Sequence, residues 1–236
     1  MCGRYSLALH DPSEIRARFC LDESVEVRTR YNIAPADRVL AVVAGRDGRP
    51  RGELLRWGLV PSFARSPHTG LKLINARVET VQRRPVFRRA FERWRCLIVA
   101  DGFYEWRRLE RGAAQPFHVT RADGELFAFA GLWSIWHAPD GSLLRSCAIL
   151  TGPANAAVAP LHDRMPVILK RDHERAWLDA ATPREELVRM LGGLEASQTA
   201  LAEVSTAVND VRCDGPECLR APAQQAPAQP LQGVLF

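Results

Sequence analysis

Cys2 is the first residue in the chain with distinctive chemistry. A small residue in second position lets the initiator methionine be removed, which leaves a cysteine carrying both a free α-amine and a thiol. The amine titrates near pH ~8 and the thiol near ~8.5, so usable fractions of both nucleophiles exist at neutral pH. Such a 1,2-aminothiol condenses with an aldehyde to an imine, and the thiol then adds to close a five-membered thiazolidine. Position alone leaves Cys2 open as that nucleophile or as an incidental cysteine. Other polar residues stand where strand ends or loops can converge on it: Asn32 in Arg-Tyr-Asn-Ile-Ala-Pro, Asn75 and Arg77 in Ile-Asn-Ala-Arg-Val-Glu-Thr, Glu105 in Asp-Gly-Phe-Tyr-Glu-Trp, and His162 in His-Asp-Arg-Met-Pro. Tyr104 and Trp106 would share one face of a strand and Glu105 the other. Glu105 is then either a half-buried carboxylate, raised toward acid-base use by burial, or a surface glutamate. His162, between Pro160 and Pro166, reads as an exposed or site-lining imidazole that can titrate near pH 7.

These residues need a scaffold. Asp11-Pro12-Ser13-Glu14 is a helix start with Asp11 as N-cap, and the helix runs through Phe19. Val39 to Ala44 reads as a buried strand, Gly45 to Gly48 as its turn and Glu53 to Trp57 as the return strand of a hairpin. Between Pro85 and Trp94 the apolar residues Val86, Phe87, Ala90, Phe91 and Trp94 recur at helical spacing, with Arg88, Arg89 and Arg93 on a basic outer face. Strands over Cys96 to Ala100, Phe103 to Arg107, Phe117 to Arg121, Glu125 to Trp136 and Leu143 to Thr151 suggest an antiparallel meander. Helices are expected over Asp172 to Asp179 and Pro183 to Leu191, the latter capped from Thr182, and a last strand over Ala202 to Val208. With no repeat and no internal linker, residues 2–220 read as one α+β domain on a mainly antiparallel sheet. From Ala221 the composition turns to Pro, Ala and Gln, which predicts a disordered tail over 221–236.

The chain has 236 residues, of which 47% are hydrophobic and 25% charged, as in an ordinary globular protein. No apolar run approaches the ~20 residues of a membrane helix, so no membrane role is expected. The polar start carries no secretory signal, which points to a reducing cytoplasm and six free cysteines. Net charge is +5, a mild bias toward anionic partners, and all but Lys72 and Lys170 of the 32 basic residues are arginines. Cys213 and Cys218 lack a partner pair and the six histidines show no His-x-x-x-His spacing, so no metal is expected; without a Gly-rich phosphate loop, no nucleotide cofactor is expected either.

Six stretches, in order, carry a resemblance: Met-Cys-Gly-Arg, Tyr-Asn-Ile-Ala-Pro, Trp-Gly-Leu-Val-Pro-Ser, Asn-Ala-Arg-Val-Glu-Thr, Gly-Phe-Tyr-Glu-Trp and His-Asp-Arg-Met-Pro. Together they resemble the SOS response-associated peptidase (SRAP) family of abasic-site processing proteins, from Cys2 to about residue 220. The resemblance implies a barrel-like sheet with flanking helices and covalent capture of abasic sites in single-stranded DNA. It makes Cys2 the nucleophile and Asn75, Glu105 and His162 its supporting residues. Arg4 and Arg77 become phosphate contacts, Asn32 and Arg164 further DNA contacts, and Phe63 a wedge or stacking surface, while Trp57 reads equally as such a surface or as a core residue. Phe63 departs from the family, which usually has tryptophan there. The expected setting is a monomer in the bacterial cytoplasm, on the nucleoid when bound to DNA.

Two other classes stay open: a cysteine peptidase acting in trans through Cys2, His162 and Glu105, and a non-covalent single-stranded DNA binder. The terminal Gln232-Gly233-Val234-Leu235-Phe236 looks like the Gln-x-x-Leu-Phe peptide by which bacterial DNA-processing enzymes dock on the sliding clamp, here on a flexible tether.

Overall fold

In a computed structural model of the chain, residues 2–45, 47–108 and 114–222 are described. The chain opens with β1 (Tyr5–Leu7), α1 (Pro12–Phe19) and β2 (Arg30–Ile33), followed by the hairpin of β3 (Arg38–Ala44) and β4 (Pro50–Trp57). Next come β5 (Asn75–Arg77), α2 (Pro85–Arg93), β6 (Arg95–Ala100), β7 (Gly102–Arg107) and β8 (Gln115–Arg121). The remainder holds β9 (Phe127–His137), β10 (Leu143–Pro153), β11 (Arg164–Pro166), α3 (Glu174–Leu178), α4 (Arg184–Arg189) and β12 (Thr199–Glu203).

Strands β6, β3, β4, β10 and β9 pair in a ring, because β9 bonds both β10 and β6. Closure leaves this barrel without free edges, and the core fills it with alternate side chains from every strand. The residues of β6 are buried on both faces because α2 and α3 pack against it from outside. A second, five-stranded sheet runs β12-β8-β7-β1-β2. Tyr5 of β1 joins the two layers: its ring meets Trp57 and Phe129 edge-on, with centroids 5.4 and 5.5 Å apart. This is the α+β, barrel-like architecture the sequence leads one to expect.

The expected meander is corrected. Chain-consecutive β6 and β7 belong to different sheets, and β10 lies parallel to both β4 and β5. The last strand falls at Thr199–Glu203, where it pairs with β8, and a 3-10 turn occupies Thr206–Asn209. The helix expected over Asp172 to Asp179 begins as a 3-10 turn, and α4 stops at Arg189. Thr182 does not cap α4; its hydroxyl donates to the carbonyl of Ala176. The start of α1 matches its signature, with Asp11 accepting from the Ser13 and Glu14 amides and Glu14 completing the capping box. Removing such a cap costs about 1 kcal/mol. All six cysteines are unbridged. No helix among the described residues is long and apolar enough to cross a membrane. The tail expected to be disordered lies, from residue 223 on, outside the described residues.

Candidate active site

Cys2 is fully buried, at the point where the chain start enters the seam between the two sheets. The backbone that follows runs antiparallel to β7, with Tyr5 opposite Phe103 and the Tyr104 amide donating to the carbonyl of Arg4. This register carries Cys2 toward the far end of β7, which bears Glu105. From the other side Asn75 holds it: the Asn75 Nδ2 donates to the Cys2 carbonyl at 2.7 Å. Asn75 is set by the parallel pairing of β5 with β10, opposite Ile149, and by the neighbouring carbonyl of Ile74, which accepts from the Trp57 indole at 2.9 Å.

Glu105 is only 4% exposed. Its own face of β7 turns to the barrel core with Phe103, while Tyr104 and Trp106 are covered by a small cluster with Val204, Val208 and Cys218. With both faces of its strand covered the carboxylate loses hydration, and burial pushes Glu105 up to about 7, with the positive amino terminus opposing the rise and Asp163 adding to it. The Cys2 thiol is raised above its usual value by burial and then by Glu105. At neutral pH it is therefore a thiol and not a pre-formed thiolate.

His162 sits in the loop before β11, its backbone amide donating to Val158. The Arg164 amide donates to His162 Nδ1 at 3.0 Å, and an Asp163 carboxylate oxygen lies 2.8 Å from the same nitrogen. Burial lowers the imidazole below its ordinary value, the amino-terminal charge works in the same direction, and Asp163 opposes both. Both Glu105 and His162 thus feel Asp163 and the chain terminus, which places them in one electrostatic neighbourhood with Cys2.

The expectation for Asn32 is corrected, and the two readings of Trp57 resolve to the core one. Asn32 has no exposed surface, and its Nδ2 donates to the carbonyls of Val208, Asp210 and Cys213, so it is a clasp and not a surface for DNA. Trp57 is also fully buried, in the barrel, and supports Asn75 from beneath instead of stacking on bases. Arg4 gives one guanidinium nitrogen to Asn32 Oδ1 at 2.8 Å and to the Val208 carbonyl at 2.7 Å. Arg164 forms a two-pronged ion pair with Glu79, both contacts at 3.0 Å, and also donates to the Thr151 carbonyl. Arg77 is exposed and Phe63 is 66% exposed.

Sequence reasoning missed Thr151. It lies opposite Arg77 in the β5–β10 pairing, and its hydroxyl and Asn75 Oδ1 are both buried without a hydrogen-bond partner among the described residues. Buried polar atoms are nearly always satisfied, so two unused ones on neighbouring strands are an unusual feature of the site. No local pattern marks Thr151, because the parallel register that brings it there joins strands more than seventy positions apart.

Fold and site together define a class: a two-layered β-barrel protein that holds a buried cysteine at its chain start beside a buried carboxylate, an amide and an imidazole. The model of the SOS response associated peptidase (SRAP) family matches residues 1–211. The chain is 36% identical to the abasic site processing protein YoqW of Bacillus subtilis, covering 94% of this chain and all of that one. It is 31% identical to the abasic site processing protein YedK of Escherichia coli, covering 81% of this chain and 84% of that one. A crystal structure of a protein from Bacteroides thetaiotaomicron shares the fold with a TM-score of 0.84 at 20% identity, over 93% of this chain and 99% of that one. One from Bordetella bronchiseptica has a TM-score of 0.75 at 28% identity, over 86% of this chain and all of that one. The chain belongs to the SOS response-associated peptidase family.

Proposed function

We propose that the protein captures abasic sites in single-stranded DNA as a thiazolidine on Cys2. Once Met1 is hydrolysed off, by the protein itself or by an aminopeptidase, Cys2 carries the terminal amine. An abasic deoxyribose is mainly a closed hemiacetal, and His162 transfers the proton that opens it to the C1′ aldehyde. Glu105 takes a proton from the Cys2 ammonium, the amine adds to C1′, and loss of water gives the imine. The Cys2 sulfur then adds to C1′ while its proton passes to the nitrogen, which closes the ring. Asn75 fixes the cysteine backbone throughout, and its free Oδ1, with the Thr151 hydroxyl, suits the sugar's hydroxyls. Arg77, Phe63 and the partly engaged Arg4 and Arg164 are the proposed contacts to the strand. All of these residues come from one chain, so a monomer suffices. The proposed setting is the bacterial cytoplasm.

The observation that carries this reading is the pairing of a protonated, buried thiol with a carboxyl group tuned to about 7. A cysteine peptidase needs a lowered thiol pKa or a base already holding its proton. Amine-led condensation needs neither, only a base for the ammonium and a thiol in reach. Intact-mass measurement with an abasic single-stranded oligonucleotide tests it: wild type should gain the oligonucleotide mass less one water, and Cys2→Ala should gain nothing. Equal yields from both proteins would refute covalent capture through Cys2. Turnover of peptides in trans, without an adduct, would favour the peptidase reading.

The C-terminal Gln232, Leu235 and Phe236, outside the described residues, are proposed as a docking peptide for the replication sliding clamp. Deleting residues 232–236 should abolish clamp binding and leave capture on short oligonucleotides intact; retained clamp binding refutes it.

A further inference from the structure

A groove of about 510 Å³ lies between α2 and β9, apart from the Cys2 site. Its lining includes Phe63, Val86, Arg88, Arg89, Trp94 and Trp133. The rings of Trp94 and Trp133 lie against each other, with centroids 4.7 Å apart and planes tilted by 44°, and both keep part of their surface open. The exposed Phe63 is held at the rim, because the Trp136 indole of β9 donates to the Ala64 carbonyl at 2.7 Å and the Ala64 amide closes a turn onto Pro61. Arg88 and Arg89 are exposed, and neither forms an ion pair among the described residues.

Flat apolar surfaces beside uncompensated guanidinium groups suit a ligand with stackable rings on an anionic chain. Single-stranded DNA has that chemistry: bases stack on aromatic side chains and phosphates take the arginines. A purely apolar partner would leave the two positive charges unused. The chain that walls the groove is also tied through its backbone to the strand that carries Asn75. The segment that forms its wall runs back through Leu59, whose amide donates to the Leu73 carbonyl, two residues before Asn75.

We infer that the groove between α2 and β9 is a second binding site for the DNA strand, in which Phe63, Trp94 and Trp133 receive bases beyond the lesion and Arg88 and Arg89 hold the adjoining phosphates. This rests on the proposed DNA-capture reading and extends it to residues with no part in the covalent step. The basic outer face of α2 thereby acquires a ligand.

The test measures binding of undamaged single strands, which cannot form an adduct, by fluorescence anisotropy at stepped salt. One strand of about 15 nucleotides can reach the groove and one of about 5 covers the capture site alone. The double variant Arg88→Ala/Arg89→Ala should bind the long strand more weakly, with a log–log salt slope shallower by about 1.4, two phosphates at ~0.7 each, and the short strand as wild type does. Irradiation of wild type with a 5-iodouracil-substituted long strand should cross-link peptides bearing Phe63, Trp94 or Trp133. An unchanged slope, an equal loss on the short strand, or cross-links only elsewhere overturns the assignment, as would an apolar peptide that displaces no DNA while filling the groove. Capture of an abasic site in the short oligonucleotide, followed by mass, is the separate arm: its absence in wild type strikes the covalent reading, whereas the slope and the cross-links judge the groove.

Discussion

Replacing Glu105 by glutamine keeps the shape of the side chain and removes its titration. Burial lifts this carboxyl from 4.5 to about 7, a rise of about 2.5 pH units. At ~1.4 kcal/mol per unit, the folded protein favours the protonated form by about 3 kcal/mol relative to the unfolded chain. The sign follows from proton counting. Below about pH 4.5 both states hold the proton and the group is neutral toward stability. Between 4.5 and 7 the unfolded chain loses its proton first, so stability falls with rising pH, and above 7 the native state carries the full burden of a buried carboxylate. Glu105→Gln should escape this loss. Urea denaturation of both proteins at pH 4 and pH 8 should show the variant gaining about 3 kcal/mol on wild type between the two conditions, other titrating groups cancelling in the difference. Capture should behave in the opposite sense: wild-type rate should rise as pH passes through about 7, and the variant should be slow throughout. A stability difference that is the same at both pH values would refute the assigned burial of the carboxyl, and with it the tuned base.

Other perturbations probe the support beneath the site. Gly102→Ala would place a Cβ 2.0 Å from His118 Nε2, the atom that also meets Ser6 Oγ at 2.8 Å, so a thermal melt should register a loss of about 1–3 kcal/mol. Burial lowers His118 to about 4, so the unfolded chain binds its proton first as pH falls below 6.5. His118→Gln should therefore flatten the decline in stability between pH 6.5 and 4, measured by denaturation, and an unaltered decline would count against the buried neutral ring. Asn75→Ala removes the grip on the Cys2 carbonyl, and a stability change of about 1 kcal/mol should accompany a capture rate lower by on the order of tenfold. Wild-type kinetics in that variant would show that the grip is dispensable.

What was legible in the sequence was whatever is determined locally. The capping box at Asp11, the 3.6-residue spacing of α2 and the long apolar strands β3, β6, β9 and β10 each carry their own signal. Strands β1, β2, β5 and β11 have three or four residues each and no periodicity of their own; they exist because longer partners lie beside them. Closure of the barrel and the parallel pairings of β10 depend on contacts across most of the chain, which no window of sequence contains. The site divides the same way. Cys2, Asn75, Glu105 and His162 were visible as residue types within motifs, whereas the cluster of Val204, Val208 and Cys218 that covers the opposite face of the strand bearing Glu105 was not. A half-buried or a surface carboxylate was therefore the expectation and nearly complete burial the finding. Asn32 looked like a surface contact and Trp57 could be one or a core residue, because a polar amide and a large ring in a motif do not reveal which way a strand faces.

The clasp made by Arg4 and Asn32 joins the beginning of the chain to residues 208–213. A ribosome that has passed Glu105 has already made the reactive head and its carboxylate, yet the stretch that clasps Arg4 and Asn32 comes about a hundred residues later. Newborn chains are thus expected to stay disarmed until that stretch has been made, and a premature stop anywhere before Val208 should leave a protein whose warhead is present but unseated.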